Sequence, residues 1–202
     1  ATLSEVTREI ASKWGVGVNI IPMSNDPVRT IVSTVSGEDL NFQDYFVRLA
    51  HDVEIAGIKF QGHETANPAP ELISEILEAD IILVAPSNPL VSIAPILSIA
   101  GIRDALQKRR KDVIAISGII GGKALKGPAG RLLNELGYEA SAAAVAEIYK
   151  DIVGTFVIDD VDKHEQKRIQ ELGLNCITAD TVMTNSTKAA DLCRTTFEEI
   201  AG

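Results

Sequence analysis

Ile81-Ile82-Leu83-Val84-Ala85, closed by Pro86-Ser87-Asn88-Pro89, and Val113-Ile114-Ala115-Ile116, closed by Ser117-Gly118-Ile119-Ile120-Gly121-Gly122, are the two runs that set the architecture. Each is short, apolar without interruption, and ends in a polar or glycine-rich loop. A strand with one wet face alternates apolar and polar residues, whereas a strand buried on both faces does not. Helical periodicity separates the two runs, extending through Ile102 to Arg110. Strand, helix, strand with continuous apolar strands implies a parallel sheet covered on both sides.

The pattern continues downstream. A helix led by Pro128 and stopped at Gly137 is followed by a second helix over about 140–152. Thr155 to Ile158 and Leu174 to Thr178 read as strands, with Asp162 and Glu165 capping the helix between them. Ala189, Cys193 and Phe197 line a last helix. Upstream, Thr2 and Glu5 form a capping box before Leu3, Val6, Ile10 and Trp14, which repeat at helical spacing. Val16 to Ile21 is β-rich and closed by Pro22. Residues 30–47 and 54–60, around Ser36-Gly37, suggest a hairpin. Asn67-Pro68-Ala69-Pro70 leads a helix with Leu72, Ile73, Ile76 and Leu77 on one face. The expected fold class is α/β: a mostly parallel, Rossmann-like sheet with helices on both faces and a small antiparallel excursion near residues 30–60. Residues 1–202 are expected to form a single α/β domain.

Composition narrows the function. The chain has 202 residues, 46% hydrophobic and 23% charged, which suits a folded core. A net charge of −9 argues against a nucleic-acid partner, which calls for a basic face. The longest weakly polar run, Leu90 to Ile102, is too short to span a bilayer. No secretory leader opens the chain, so a cytoplasmic protein with no membrane partner is expected. Cys176 and Cys193 sit in apolar-periodic segments and read as reduced thiols, and His51, His63 and His164 lack the spacing of a zinc site.

In open parallel sheets ligands bind outside the carboxyl ends of the strands. Ser87-Asn88, between two prolines, offers a hydroxyl and an amide that could meet a purine edge; it could equally make an Asx-type turn. Gly121-Gly122, with Lys126 ahead of the Pro128 helix, could hold a phosphate, although the spacing is not that of a P-loop. Ser24, Asp26 and Arg29 concentrate polar groups after the 16–21 segment and are candidate loop contacts to a ligand, although Asp26 and Arg29 could equally form a local ion pair. Asp159, Asp160 and Asp162 could gather magnesium, or cap and be solvated.

Pro22-Met23-Ser24-Asn25-Asp26-Pro27-Val28-Arg29-Thr30 and Phe42-Gln43-Asp44-Tyr45-Phe46-Val47 resemble segments of the 2-phospho-L-lactate transferase family. So do Pro86-Ser87-Asn88-Pro89-Leu90-Val91-Ser92-Ile93, Lys126-Gly127-Pro128-Ala129, the segment Ala144 to Asp151, and Ala179-Asp180-Thr181-Val182-Met183. They occur in family order across nearly the whole chain, which differs from the pattern at Asn25, Ala94 and Gly118. The resemblance implies a transferase of deazaflavin coenzyme F-420 biosynthesis. It would move a 2-phospholactyl or phosphoenolpyruvyl group from a guanylyl-diphosphate donor to the deazaflavin alcohol Fo, releasing GMP with the help of Mg2+. It places Ser87, Asn88, Pro89 and Ser92 near the guanine nucleotide, with Gly121, Gly122 and Lys126 next to it, and it allows a homodimer. It also implies that the chain matches the family's C-terminal two-thirds and lacks its opening strand, turn and acidic loop, so that residues 1–202 alone are not expected to catalyse the transfer. A related group of nucleotide-sugar-binding regulators shares the architecture and is the alternative.

Overall fold

The computed structural model describes residues 1–124 and 127–201. They gather into two compact units, one of residues 1–79 and 90–106, the other of residues 80–89 and 107–202.

The first unit opens with α1 (Leu3–Lys13). Its capping box is complete: the Glu5 N–H donates to Thr2 Oγ1 and the Thr2 N–H to the Glu5 carboxylate. The apolar stripe is there too, yet it faces solvent, with Leu3 53% and Trp14 80% exposed. Val16 to Ile21 forms no strand, contrary to expectation. Alternating Val and Ile make a strand only where a neighbour supplies a ladder and a packing surface, and none does so among the described residues. The expected excursion is a three-stranded antiparallel sheet of β1 (Arg29–Thr34), β2 (Asp39–Asn41) and β3 (Ile55–Gln61), in the order β2-β1-β3. Gly37, at a φ of 87°, turns β1 into β2. Val32, Leu40 and Ile55 are buried on one face.

The helices α2 (Leu72–Glu78) and α3 (Ala94–Leu97) belong to this unit as well. The helical run expected to reach Arg110 is broken. Pro89–Ile93 is a π-turn, α3 follows, and Gly101 at a φ of 84° ends the segment before α4 (Ile102–Lys108) resumes.

The second unit holds a four-stranded sheet of β4 (Ile82–Val84), β5 (Val113–Ile116), β8 (Thr155–Asp159) and β9 (Asn175–Ala179), and between β5 and β8 in sequence a separate antiparallel pair, β6 (Ile119–Ile120) and β7 (Lys123–Ala124). The order β4-β5-β8-β9 is parallel throughout. Every residue of β5 and of β8 is buried, which is why these runs carry no polar alternation. Flanking helices are α5 (Ala129–Glu135), α6 (Ala142–Tyr149), α7 (Gln166–Glu171) and α8 (Ser186–Ala201). Ile114, Ile116, Val157, Ile177 and Ala179 pack with Leu192 of α8. Each large aliphatic side chain so enclosed contributes about 1.5–3 kcal/mol. The buried stripe of α8 runs through Leu192 and Thr196, while Phe197, expected inside, stays partly exposed.

Two contacts hold the edge of the sheet opposite the loops of interest. Arg110 donates to the carbonyls of Lys150 and Gly173 at 2.9 and 2.7 Å. Gly154 lies so close that a Cβ there would come within 2.6 Å of the Arg110 carbonyl oxygen, so the position admits no side chain. Tyr149 is 2% exposed, and its hydroxyl has no partner among the described residues. Among those residues no single helix is long and apolar enough to cross a membrane.

Burial holds the Tyr149 phenol well above its ordinary pKa, so it stays neutral and gains nothing from ionisation. Deleting a buried hydroxyl that bonds to nothing removes only a desolvation cost. Tyr149→Phe should leave stability unchanged or raise it by up to about 1 kcal/mol. Urea unfolding followed by circular dichroism measures this; a loss of stability would show that the hydroxyl is paired after all.

Candidate functional site

The carboxyl ends of four adjacent parallel strands carry the polar loops of the second unit. After β4 come Ser87 and Asn88, both half-buried; after β5 come Ser117 and Gly118. A Cβ on Gly118 would lie 2.9 Å from the Ser87 carbonyl oxygen and 3.3 Å from its nitrogen. The two loops are therefore in backbone contact, as the succession of strands leads one to expect. Ser117 is buried, its hydroxyl donating to the Ile119 carbonyl and accepting from the Ile119 N–H at 2.8 and 3.1 Å.

After β8, Asp159 is buried and fully engaged. One oxygen accepts from the Val161 N–H at 3.1 Å, and the other from the N–H and hydroxyl of Thr181 at 3.0 and 2.8 Å. Thr181 follows β9, so this one carboxylate ties the ends of β8 and β9 together. Asp180 lies exposed beside it and pairs with Lys188 at 2.6 Å. That hydrogen bond, helped by the Val182 N–H, holds the Asp180 carboxyl below its usual pKa range.

The glycine-rich loop is a hairpin. Gly121 and Gly122 form the two-residue turn of the β6–β7 hairpin, at φ of 57° and 75°. Two successive positive φ values are what a type I′ hairpin turn needs, so the glycines have a structural reason to be there. Asp162, 1% exposed, does not cap the helix ahead of it; Asp159 caps that turn instead. Both oxygens of Asp162 lie 3.0 Å from the Gly121 N–H, which pins the hairpin tip. Glu165 reaches α6 and accepts from the Ala143 N–H at 2.6 Å, beside Ser141, which caps that helix. The sequence signal for these roles is faint, because Asp and Glu near a helix start also serve as ordinary caps.

The remaining candidates fall elsewhere. Pro89, which opens the π-turn, is buried in the second unit, whereas Ser92 lies exposed in the first. Lys126 lies outside the described residues. Ser24 is buried, donating to the Asn67 carbonyl at 2.6 Å and accepting from the Asp26 N–H. Asp26 accepts from the Asn67 N–H at 2.9 Å; no ion pair between Asp26 and Arg29 stands among the described residues. Ser24 and Asp26 thus serve to bind two loops of the first unit together, and Arg29 is exposed at the start of β1.

Asp162, His164 and Glu165 bring potential ligand atoms within 4.8 Å of one another. Asp162 and Glu165 already accept backbone N–H bonds, and an imidazole suits magnesium poorly, a cation that favours oxygen ligands. This cluster does not fit Mg2+. Cys176 and Cys193 are free thiols. Burial first, and the nearby Glu165 second, push the Cys176 thiol up to about 11.

Residues 1–197 match the family described as 2-phospho-L-lactate transferase CofD. A protein of Methanosarcina acetivorans named 2-phospho-L-lactate transferase is 39% identical over 191 residues, covering 95% of this chain and 61% of its own length. A Methanosarcina mazei protein of the same name is 36% identical over 192 residues, with 95% and 62% covered. A phosphoenolpyruvate transferase of Kitasatospora aureofaciens is 38% identical over 198 residues, with 96% and 62% covered. The chain thus spans about three-fifths of the length of these relatives. Among solved structures, a Bacillus halodurans protein superimposes with a TM-score of 0.70 at 16% identity, covering 100% of this chain and 67% of that one. At that identity the likeness concerns the fold alone.

Gly118→Ala should force the Ser87 backbone to move and cost about 1–3 kcal/mol, a typical overpacking penalty. A lower urea midpoint with an unchanged slope is the expected result, and an unchanged midpoint would show that the loop yields freely. The raised thiol pKa sets a second expectation. The unfolded thiol, with its ordinary pKa near 9, ionises before the folded one, so the Cys176 contribution is intact below pH 9 and is lost as pH rises from there through about 11. Iodoacetamide at pH 8 should modify Cys193 first and Cys176 only when the unit unfolds. Peptide mapping that finds both alkylated at equal rates would contradict this.

Proposed function

This chain belongs to the 2-phospho-L-lactate transferase family, and from that premise we propose that its protein is a transferase of coenzyme F-420 biosynthesis. It joins a 2-phospholactyl or phosphoenolpyruvyl group, whose own phosphate is linked to GMP as a diphosphate, to the terminal hydroxyl of the deazaflavin alcohol Fo, the hydroxyl proton being released to solvent. One P–O bond forms to that hydroxyl oxygen, the bond to the guanylyl phosphate breaks, and GMP leaves. Relatives named for both donor types match this chain about equally well, so the donor's three-carbon group stays open between the two.

The observation that carries the proposal is the backbone contact between Gly118 and Ser87 at the carboxyl ends of β4 and β5. In open parallel sheets this edge is where nucleotides lie. In the proposal Asn88 meets the guanine edge, presenting a donor and an acceptor from one rigid loop between two prolines. Ser87 supplies a hydroxyl to the nucleotide. The β6–β7 turn and Lys126 face the diphosphate, Lys126 as a point charge. A transfer of this kind needs alignment and charge neutralisation more than a covalent nucleophile. Magnesium, in this proposal, accompanies the diphosphate and offsets its charge. Asp159 and Asp162 at the strand ends are committed to backbone donors.

Calorimetry on the full-length protein tests the reading. GDP should bind at least tenfold more tightly than a uridine diphosphate sugar, and Asn88→Ala should weaken GDP by about 1–3 kcal/mol, the cost of leaving a polar edge unpaired. A preference for the uridine sugar would favour a nucleotide-sugar-binding regulator instead. Unchanged GDP affinity in Asn88→Ala would remove that amide from the site.

A further inference from the structure

Asp162 is buried at a cost that its one hydrogen bond does not offset. It is 1% exposed, and among the described residues its only donor is the Gly121 N–H, 3.0 Å from each carboxylate oxygen. Asp159, three residues earlier, gathers three donors. An ionised carboxylate has about four lone-pair sites to fill, and a buried charge served by one N–H recovers little of its desolvation cost. Folding alone is poorly served by such a group. What the side chain does secure is the position of one peptide, 41 residues away.

That peptide opens the Gly121-Gly122 turn of the β6–β7 hairpin. Strands of two residues each, joined by two glycines, do not hold a tip still by themselves. The tip is seated by its neighbours instead. Asp162 takes the Gly121 N–H, and Val161 Cγ2, from the same turn as Asp162, lies 3.9 Å from where a Cβ on Gly121 would sit. The Ala140 carbonyl oxygen stands 3.5 Å from the corresponding point on Gly122. A Cβ on Gly130, in the first turn of α5, would lie 3.7 Å from the Gly122 carbonyl oxygen. Beside the occupied Gly121 N–H, that of Gly122 has no partner among the described residues. All these residues belong to the second unit.

We infer that Asp162 is a positioning residue for the donor's diphosphate: by taking the Gly121 N–H it fixes the turn that presents the Gly122 N–H to the second phosphate, the one that GDP has and GMP lacks. The inference rests on the transferase reading above, in which this turn faces the diphosphate. Asp162 touches no substrate and acts through the backbone. Its negative charge, close behind the turn, opposes an anion in front of it. The useful part is therefore the hydrogen bond, and a neutral acceptor of the same shape serves as well.

GDP and GMP are titrated into the full-length protein and into Asp162→Asn and Asp162→Leu, both close to aspartate in branching and shape. Wild type should bind GDP about tenfold or more tightly than GMP, the difference that one charge-assisted contact makes. Asp162→Asn should keep that ratio within about threefold, whereas Asp162→Leu should bring it down to about two or less by weakening GDP alone. A merely structural role lowers both affinities together and leaves the ratio standing. That result, or a wild type that does not separate the two nucleotides, overturns the inference while the transferase reading stands. A ratio lost equally in both variants shows the charge itself at work and overturns it too. Should Asp162→Leu fail to fold, hydrogen exchange on the wild type decides. GDP should slow exchange across residues 119–124 more than GMP does, and equal protection overturns the inference. A wild-type protein that does not bind GDP overturns the transferase reading itself, and this inference with it.

Discussion

The carboxylate of Asp159 is the interaction on which the loop edge of the parallel sheet depends. Strands buried on both faces can leave polar groups only at their ends, and there each backbone N–H needs a partner. Asp159 meets that need for two strands at once, accepting from Val161 on its own side and from Thr181 beyond β9. Asp162 does the same for the neighbouring hairpin through Gly121. The loops at this edge are therefore fixed from inside the protein. A nucleotide placed against them would meet a surface whose backbone is already settled, which limits the ordering cost of binding.

The parallel sheet was legible because its constraint is written in consecutive residues. Val113 to Ile116 has nowhere polar to face, and the strand has the bounds that the apolar run implies. The capping box at Thr2 and Glu5 was legible for the same reason, since all its parts lie within one turn. Val16 to Ile21 has strand composition without a strand, because β structure depends on a neighbour that local sequence does not specify. Gly121-Gly122 shows the converse. Paired glycines permit both a phosphate cradle and a hairpin turn, and only the short pairing of Ile119-Ile120 with Lys123-Ala124 tells which geometry the backbone takes.

Candidate site residues divide along the same line. Ser87, Asn88 and Gly118 could be picked out because they end strands that announce themselves. Asp159 and Asp162 looked like interchangeable acidic residues near a helix start, yet they hold different partners 22 and 41 residues away. Contacts over such separations leave no local trace. Ser24 and Asp26 looked like a ligand loop and prove to be internal ties to Asn67, while Arg29, a few residues on, is left exposed at the start of β1. Within one family-like string, some polar residues hold the loop in shape and others are free to meet what comes to it.

The solvated stripe of α1 has an optical consequence. Trp14 is the only tryptophan in the chain, and it stands almost fully in water just past the helix end. Its emission is already that of a hydrated indole in the folded state, so melting the buried sheet changes its surroundings little. Intrinsic fluorescence will therefore be nearly blind to the loss of the fold, while remaining sensitive to anything that settles onto the first helix and drives water from that ring.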